Sequence, residues 1–230
     1  MHAQSTSSSP SMSSSNNNTG QTGCSASETV APLTSLLYVS KTILLQAVDL
    51  LDNYLTSDDQ LTVSSKFLPG STIGKHLRHA RDHFVLLADA VSSPPPHIIS
   101  YDTRCRNTPM EGSRSAARVA LIEAIEQLEA RVPLTPMNTP ITLHAVTPDL
   151  QAFQTTFGRE LWFAGLHCVH HWSMVDVCDF ILAVSEANFR TSQVRVIAGE
   201  LNIQLTEDFG FAPSTLVYQD RQAPLGKSKI

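Results

Sequence analysis

Apolar residues recur at helical spacing along most of this chain. Between Pro32 and Leu55, the positions Leu33, Leu36, Leu37, Ile43, Leu44, Val48, Leu51 and Leu55 mark one face. This spacing predicts a first helix, with Pro32 suited to its first turn. Pro69-Gly70-Ser71 breaks the pattern, and Ser71 is a candidate N-cap for a second helix from about Thr72 to Ala90. Pro94-Pro95-Pro96 ends that helix, because proline has no N–H to continue the ladder. Residues 97–112 show no helical period and read as an ordered loop. Ser113 then opens a third helix whose stripe runs through Ala117, Leu121, Ala124, Leu128 and Val132.

Prolines recur between Pro133 and Pro148, and Ile141-Thr142-Leu143-His144-Ala145-Val146 alternates. A short strand or an extended crossover fits there, the strand as a hairpin with residues 151–155. A fourth helix is expected from about Thr156 to Asn188, and a last short one from about Gln193 to Asn202, before an irregular C-terminal segment. Four long amphipathic helices with two long connections predict an all-α fold, a four-helix bundle with crossover connections. Residues 1–29 are Ser, Thr, Asn, Gln and Gly with almost no apolar content. Such a segment cannot bury enough surface to offset its ordering entropy, so it is expected to be a disordered, solubilising tail preceding a bundle over 30–230.

The chemistry concentrates in the fourth helix. His167, His170 and His171 lie within five residues of an otherwise apolar stretch. On a helix, His167 and His171 stand about 40° apart, on the same side as Glu160, Phe163 and Ala164. Two inward imidazoles one turn apart form a bidentate metal clamp; the alternative is a pair of core histidines bonded to backbone or a carboxylate. Helix two carries His76, His79 and His83 on one flank, bordering the stripe of Ile73, Leu77, Ala80, Phe84 and Leu87. Any of them can supply a third ligand, or all can form a polar edge. Periodicity leans to His76, the closest to the stripe.

Composition narrows the class. The hydrophobic fraction is 42 % and the charged fraction 16 %, and the net charge of −5 argues against general nucleic-acid binding. No run reads as long enough to span a bilayer, and no signal core or basic presequence opens the chain. Cys24, Cys105, Cys168 and Cys178 show no CxxC spacing or disulfide framework. A reducing compartment is expected, cytoplasmic or nuclear.

Several motifs together resemble one known family. Ser71-Thr72-Ile73-Gly74-Lys75-His76-Leu77-Arg78-His79 resembles the helix-two motif of the DinB-like superfamily of metal-binding four-helix bundles, and His167-x3-His171 resembles its helix-four pair. Tyr101-Asp102-x-Arg104-x-Arg106-x4-Glu111, Arg159-Glu160-Leu161 and Phe209-Gly210-x-Ala212-Pro213-Ser214-Thr215 look like the signatures of an uncharacterised branch. The resemblance covers about residues 30–218. Each motif alone is unspecific, and their joint occurrence in order carries the resemblance. It implies a three-histidine site at His79, His167 and His171. The family name refers to DNA-damage induction and implies no DNA contact.

Three neutral imidazoles leave open positions on a divalent metal, whereas a closed structural site uses four protein ligands. Zinc fits, and nickel or iron(II) also accept imidazole. Relatives in the superfamily include thiol S-transferases, so the resemblance implies a metal-dependent transferase or hydrolase that activates a thiolate or water. A non-catalytic bundle with a structural or sensing metal is the alternative. Glu160 is the candidate general base or imidazole-orienting acceptor; otherwise it is a partner for Arg159 or Arg106. Asp102, Arg104, Arg106 and Glu111 are candidates for the pocket mouth, where Arg104 and Arg106 would form a fork for an anionic substrate; otherwise they pin their own loop. The expected partner is a small thiol-linked or anionic molecule, and the chain can be a monomer or a homodimer. Neither nucleic acid nor membrane is expected.

Overall fold

A computed structural model describes residues 26–68, 70–103, 105–172, 193–206 and 209–210. Among them lie six α-helices and three strands in the order α1 (Ala26–Asp49), α2 (Asp59–Thr62), α3 (Ile73–Ala90), β1 (His97–Ile99), α4 (Arg114–Arg131), β2 (Pro140–Val146), β3 (Leu150–Thr156), α5 (Phe157–Trp172) and α6 (Gln193–Glu200). A π-helical segment, Leu50–Tyr54, continues α1. The end expected for helix four, with Cys178, lies outside the described residues, as does 211–215.

The fold is mostly helical, with a small sheet that corrects the all-α expectation. β2 pairs antiparallel with β3, with Leu143 opposite Phe153, and parallel with β1, with Ile98 opposite Thr142. The sheet order is β1-β2-β3. The expected hairpin is present, at 140–146 and 150–156. The prolines around it exclude helix and its β-branched residues suit a pleated surface. β1 is three residues long, too short to leave a periodic signal, and falls in the segment read as a loop.

Helix starts follow their caps. Thr72, not Ser71, caps α3: its backbone is extended and its hydroxyl accepts from the Lys75 N–H at 3.2 Å. Ser113 caps α4, accepting from the Ala116 N–H at 3.4 Å. α1 begins at Ala26, inside the segment read as tail, so Pro32 lies within the helix instead of its first turn.

α3 packs against α4 and α5, and α1 packs against the same two helices. One apolar core joins all four: Leu44 and Leu50, Leu77 and Phe84, Leu121 and Leu128, Leu161 and Trp172 are all fully or almost fully buried. Burial of each such side chain contributes roughly 1.5–3 kcal/mol. The Trp172 indole N–H also donates to the Ile43 carbonyl at 2.8 Å, tying the end of α5 to α1. Trp162, also on α5, is half exposed. Residues 33–54 are long and apolar enough to cross a bilayer, contrary to the reading of the sequence. Here Ile43, Leu44, Ala47, Leu50 and Leu51 of that stretch face the core.

Two features set the height of α3 against its neighbours. Gly74 lies so close to the 3₁₀ turn Pro109–Glu111 that a Cβ there would sit 2.1 Å from the Glu111 carbonyl oxygen. Arg78, buried on the next turn, donates to Glu111 at 3.1 Å and lies 3.5 Å from Asp82. The loop after β1 is therefore clamped to α3 by backbone contact and by an ion pair.

Candidate metal centre

The site forms where α3 and α5 face each other. Their shared core, from Leu77, Ala80 and Phe84 to Leu161, Ala164 and Cys168, sets the helices side by side. The flank of α3 bearing three histidines then meets the face of α5 bearing two. His167 Nε2 lies 3.1 Å from His79 Nε2 and 3.1 Å from His171 Nε2. One ligand atom from each of His79, His167 and His171 lies within 4.8 Å of the other two. His171 is buried, and the other two are partly open to solvent.

This geometry suits a cation. A neutral imidazole nitrogen carries either one proton or one lone pair. His167 Nε2 faces two other nitrogens, so in hydrogen bonding alone one proton or one lone pair has to serve two contacts. A metal ion satisfies all three lone pairs together. Two ligands about 2.0–2.1 Å from a tetrahedral zinc stand about 3.3–3.4 Å apart, close to the spacing of the two contacts at 3.1 Å. The i, i+4 pair expected on α5 thus converges with a third histidine from α3, which allows a metal site. His79 fills the third place, not His76, to which the apolar stripe leans. His170 is exposed and outside the cluster.

His76 and His83 are buried beside the cluster. His76 Nδ1 lies 3.1 Å from His171 Nδ1, on the side of that ring away from His167. Burial, then the charges of Arg78, His170 and Lys75, push the His76 imidazole down to about 4 from 6.5, so it is neutral at neutral pH. His83 donates from Nδ1 to the His79 carbonyl at 2.9 Å, the bond that an i, i+4 position on α3 permits. Its ring centre lies 4.1 Å from that of His167 and stacks on Tyr101 at 4.5 Å, with 17° between planes.

Glu160 is fully buried in the first turn of α5, where the helix dipole favours its charge. It accepts from the Tyr101 hydroxyl at 2.9 Å, the Thr155 hydroxyl at 2.8 Å and Arg159 at 2.9 Å. None of these donors is a histidine, and Arg159 is the partner given as the alternative to a catalytic role. Burial and the neighbouring Glu160 carboxylate push the Tyr101 phenol well above its ordinary value. The sequence motif assigns Tyr101 no role. The structure makes it the bridge between Glu160 and the histidine wall. Phe163 completes that wall, 5.7 Å from the His167 ring, with the Arg159 guanidinium 5.1 Å from its centre.

Asp102 and Glu111 of the loop have partners other than the histidines. The Asp102 carboxylate accepts from the Val146 N–H at 2.9 Å and so pins the loop to β2. Glu111 accepts from Arg78 and from the Thr108 N–H. Arg106 is exposed, and Arg104 lies outside the described residues. Cys105, Thr108 and Met110 line a groove between α3 and α4 of about 470 Å³, to which none of the histidines contributes. The described cysteines, Cys105 and Cys168, are free thiols. Burial pushes the Cys168 thiol up, which suits packing and not metal ligation.

These features define a mostly helical protein with a three-histidine cluster. No family model matches the chain, and no solved structure matches it. A curated protein of Rhizopus delemar, FK506-binding protein 5, is 28 % identical over 183 residues, which is 78 % of this chain and 37 % of the relative. The chain thus spans well under half the length of the relative it matches.

Proposed function

We propose that His79, His167 and His171 hold one divalent metal ion, zinc in the first instance, and that the protein is a DinB-like four-helix bundle acting as a metal-dependent transferase or hydrolase. The observation that carries this reading is the convergence of three imidazole nitrogens from α3 and α5 on one point. Two further facts support it. Each long helix among α1, α3, α4 and α5 packs on two others, the arrangement of a bundle. The cluster is also partly open, which suits a metal with exchangeable positions.

When bound, such a metal lowers the pKa of a coordinated water or thiol, or polarises a carbonyl. The chain's own residues shape what reaches it. Phe163, Tyr101 and His83 form an aromatic wall along one side of the cluster. Arg159, with more than half of its side chain exposed, stands over that wall as a cation for an anionic group. Glu160 holds Tyr101 in the wall. The substrate class is therefore a small anionic or thiol-linked molecule. Free Cys105 and Cys168 accord with a reducing, cytoplasmic setting.

The test is elemental analysis of purified protein, before and after reconstitution with zinc, nickel or iron(II), followed by a thiol-transferase and hydrolase screen. One metal per chain, lost in His167→Ala and His171→Ala, is expected. A chain that takes up none of the three refutes the reading. Chelation then separates roles: loss of turnover with intact helical circular dichroism marks a catalytic metal, and a large fall in melting temperature marks a structural one.

A further inference from the structure

We propose that His76 is a positioning residue for the metal centre, accepting through Nδ1 a hydrogen bond from His171 Nδ1–H and so fixing His171 in the tautomer that turns its Nε2 lone pair to the metal. The inference rests on the metal reading above and adds a residue that the three-ligand set does not contain.

The proton inventory leads there. His171 turns Nε2 towards His167 and Nδ1 towards His76, each at 3.1 Å. A ligand nitrogen has to be unprotonated, so a neutral His171 bound through Nε2 carries its proton on Nδ1. That proton points at His76 Nδ1, which must then offer a lone pair. The His76 proton is thereby placed on Nε2.

The surroundings set His76 apart from a packing residue. His76 Nε2 is buried and has no hydrogen-bond partner. A histidine buried only for packing would be expected to satisfy its donor, because an orphaned buried polar group costs about 1–3 kcal/mol. His76 leaves one nitrogen unbonded while aiming the other at a ligand ring. Metal-bound histidines usually donate their second N–H to a carboxylate, a carbonyl or water. Glu160, the buried carboxylate of α5, lies about 16 Å along the helix from His171 and has its bonds with Tyr101, Thr155 and Arg159. The neighbouring imidazole therefore takes the orienting place on His171. Its position on α3 follows from spacing: His76 and His79 are three residues apart on one flank, so one meets His171 from behind while the other meets the ligand point.

The experiment measures zinc affinity by competition with a chromophoric chelator in wild type, His76→Leu and His76→Asn, with melting temperatures of the metal-free proteins alongside. An Asn side-chain oxygen can stand near the place of Nδ1 and accept; Leu cannot accept at all. Loss of an orienting partner typically weakens metal binding about 10- to 100-fold. We expect that loss for His76→Leu and retention within about threefold of wild type for His76→Asn. Nitrogen NMR of the zinc-loaded wild type reads the tautomer directly, and the expected His76 signal is that of an Nε2–H imidazole. His76→Leu binding within about twofold of wild type, equal weakening by both substitutions, or a His76 proton on Nδ1 would each overturn the proposal. If His76→Leu fails to fold, the Asn variant and the wild-type NMR decide it. Absence of zinc binding in wild type would refute the metal reading itself, an outcome separate from these.

Discussion

Glu160 can be tested both as an anchor and as a base, because its three bonds have different values. Replacing it with Ala removes the acceptor from Tyr101, Thr155 and Arg159. More than half of the Arg159 side chain is exposed, so water replaces that partner and the ion pair contributes only about 0–1 kcal/mol. Thr155 is half-buried and can also turn to water. The Tyr101 bond is the costly one: a hydrogen bond to a charged group contributes about 1.5–3 kcal/mol. With the one methylene lost from the core, Glu160→Ala should destabilise the fold by about 2–4 kcal/mol. Urea unfolding of wild type, Glu160→Ala, Tyr101→Phe and the double variant gives the coupling directly. A coupling of about 1.5 kcal/mol or more is expected, with the dependence on denaturant unchanged. A coupling below about 0.5 kcal/mol would show that the Tyr101–Glu160 bond does not hold the wall. Glu160→Gln adds the second arm. Its amide can still accept from Thr155 and Arg159 and donate to the phenol oxygen. As an anchor, Gln should keep metal content and most turnover; abolished turnover with full metal and near-native stability would make Glu160 the general base instead.

Three other outcomes follow from particular contacts. His170→Ala should leave metal content unchanged, since His170 is exposed and outside the cluster, and a loss measured by elemental analysis would mean that α5 presents the wrong pair. Gly74→Ala should destabilise the protein by about 1–3 kcal/mol or more in thermal unfolding, because the new Cβ meets the Glu111 carbonyl; a neutral effect would show that the turn at 109–111 yields freely. The Tyr101 phenol is held above its ordinary value of 10 in the folded state, so the stability it contributes is full below about pH 10 and is lost as pH rises further. Tyr101→Phe should flatten that alkaline fall in denaturant titrations, and an unchanged slope would refute the buried-phenol assignment.

Long elements were legible because each buries a continuous stripe. The period of apolar residues gave a second helix over about 72–90, and α3 spans 73–90. The alternation from Ile141 gave β2, and the hairpin partner fell within a residue of β3. What the pattern missed is short or non-local. β1 has three residues and gains its hydrogen bonds from β2, more than forty positions away, so nothing in its own composition marks it. α2 is a single turn of four residues. The start of α1 was read too late because Pro32 was given the usual first-turn place, whereas the helix runs through it.

The site shows the same division between local and tertiary information. The pair His167 and His171 is a local fact, written in a spacing of four on one helix. The third nitrogen is a tertiary fact, and depth was the wrong guide to it. Periodicity ranks histidines by closeness to the apolar stripe, which selects His76. That ranking is correct as far as it goes: His76 is buried and His79 is partly open. Yet a ligand has to reach a point between two helices at the border of the core, and the deeper residue overshoots it to meet the far side of His171. The less buried His79 lies level with His167 and meets its Nε2. The stripe therefore selects His76, which meets His171, and passes over His79, which joins the cluster. Glu160 shows the same division. Its face on α5 was right, but the hydroxyls that occupy it come from Tyr101 and Thr155, one of them 59 positions away in the chain. Helical geometry says where a carboxylate points, whereas its chemistry depends on which donors the rest of the fold delivers there.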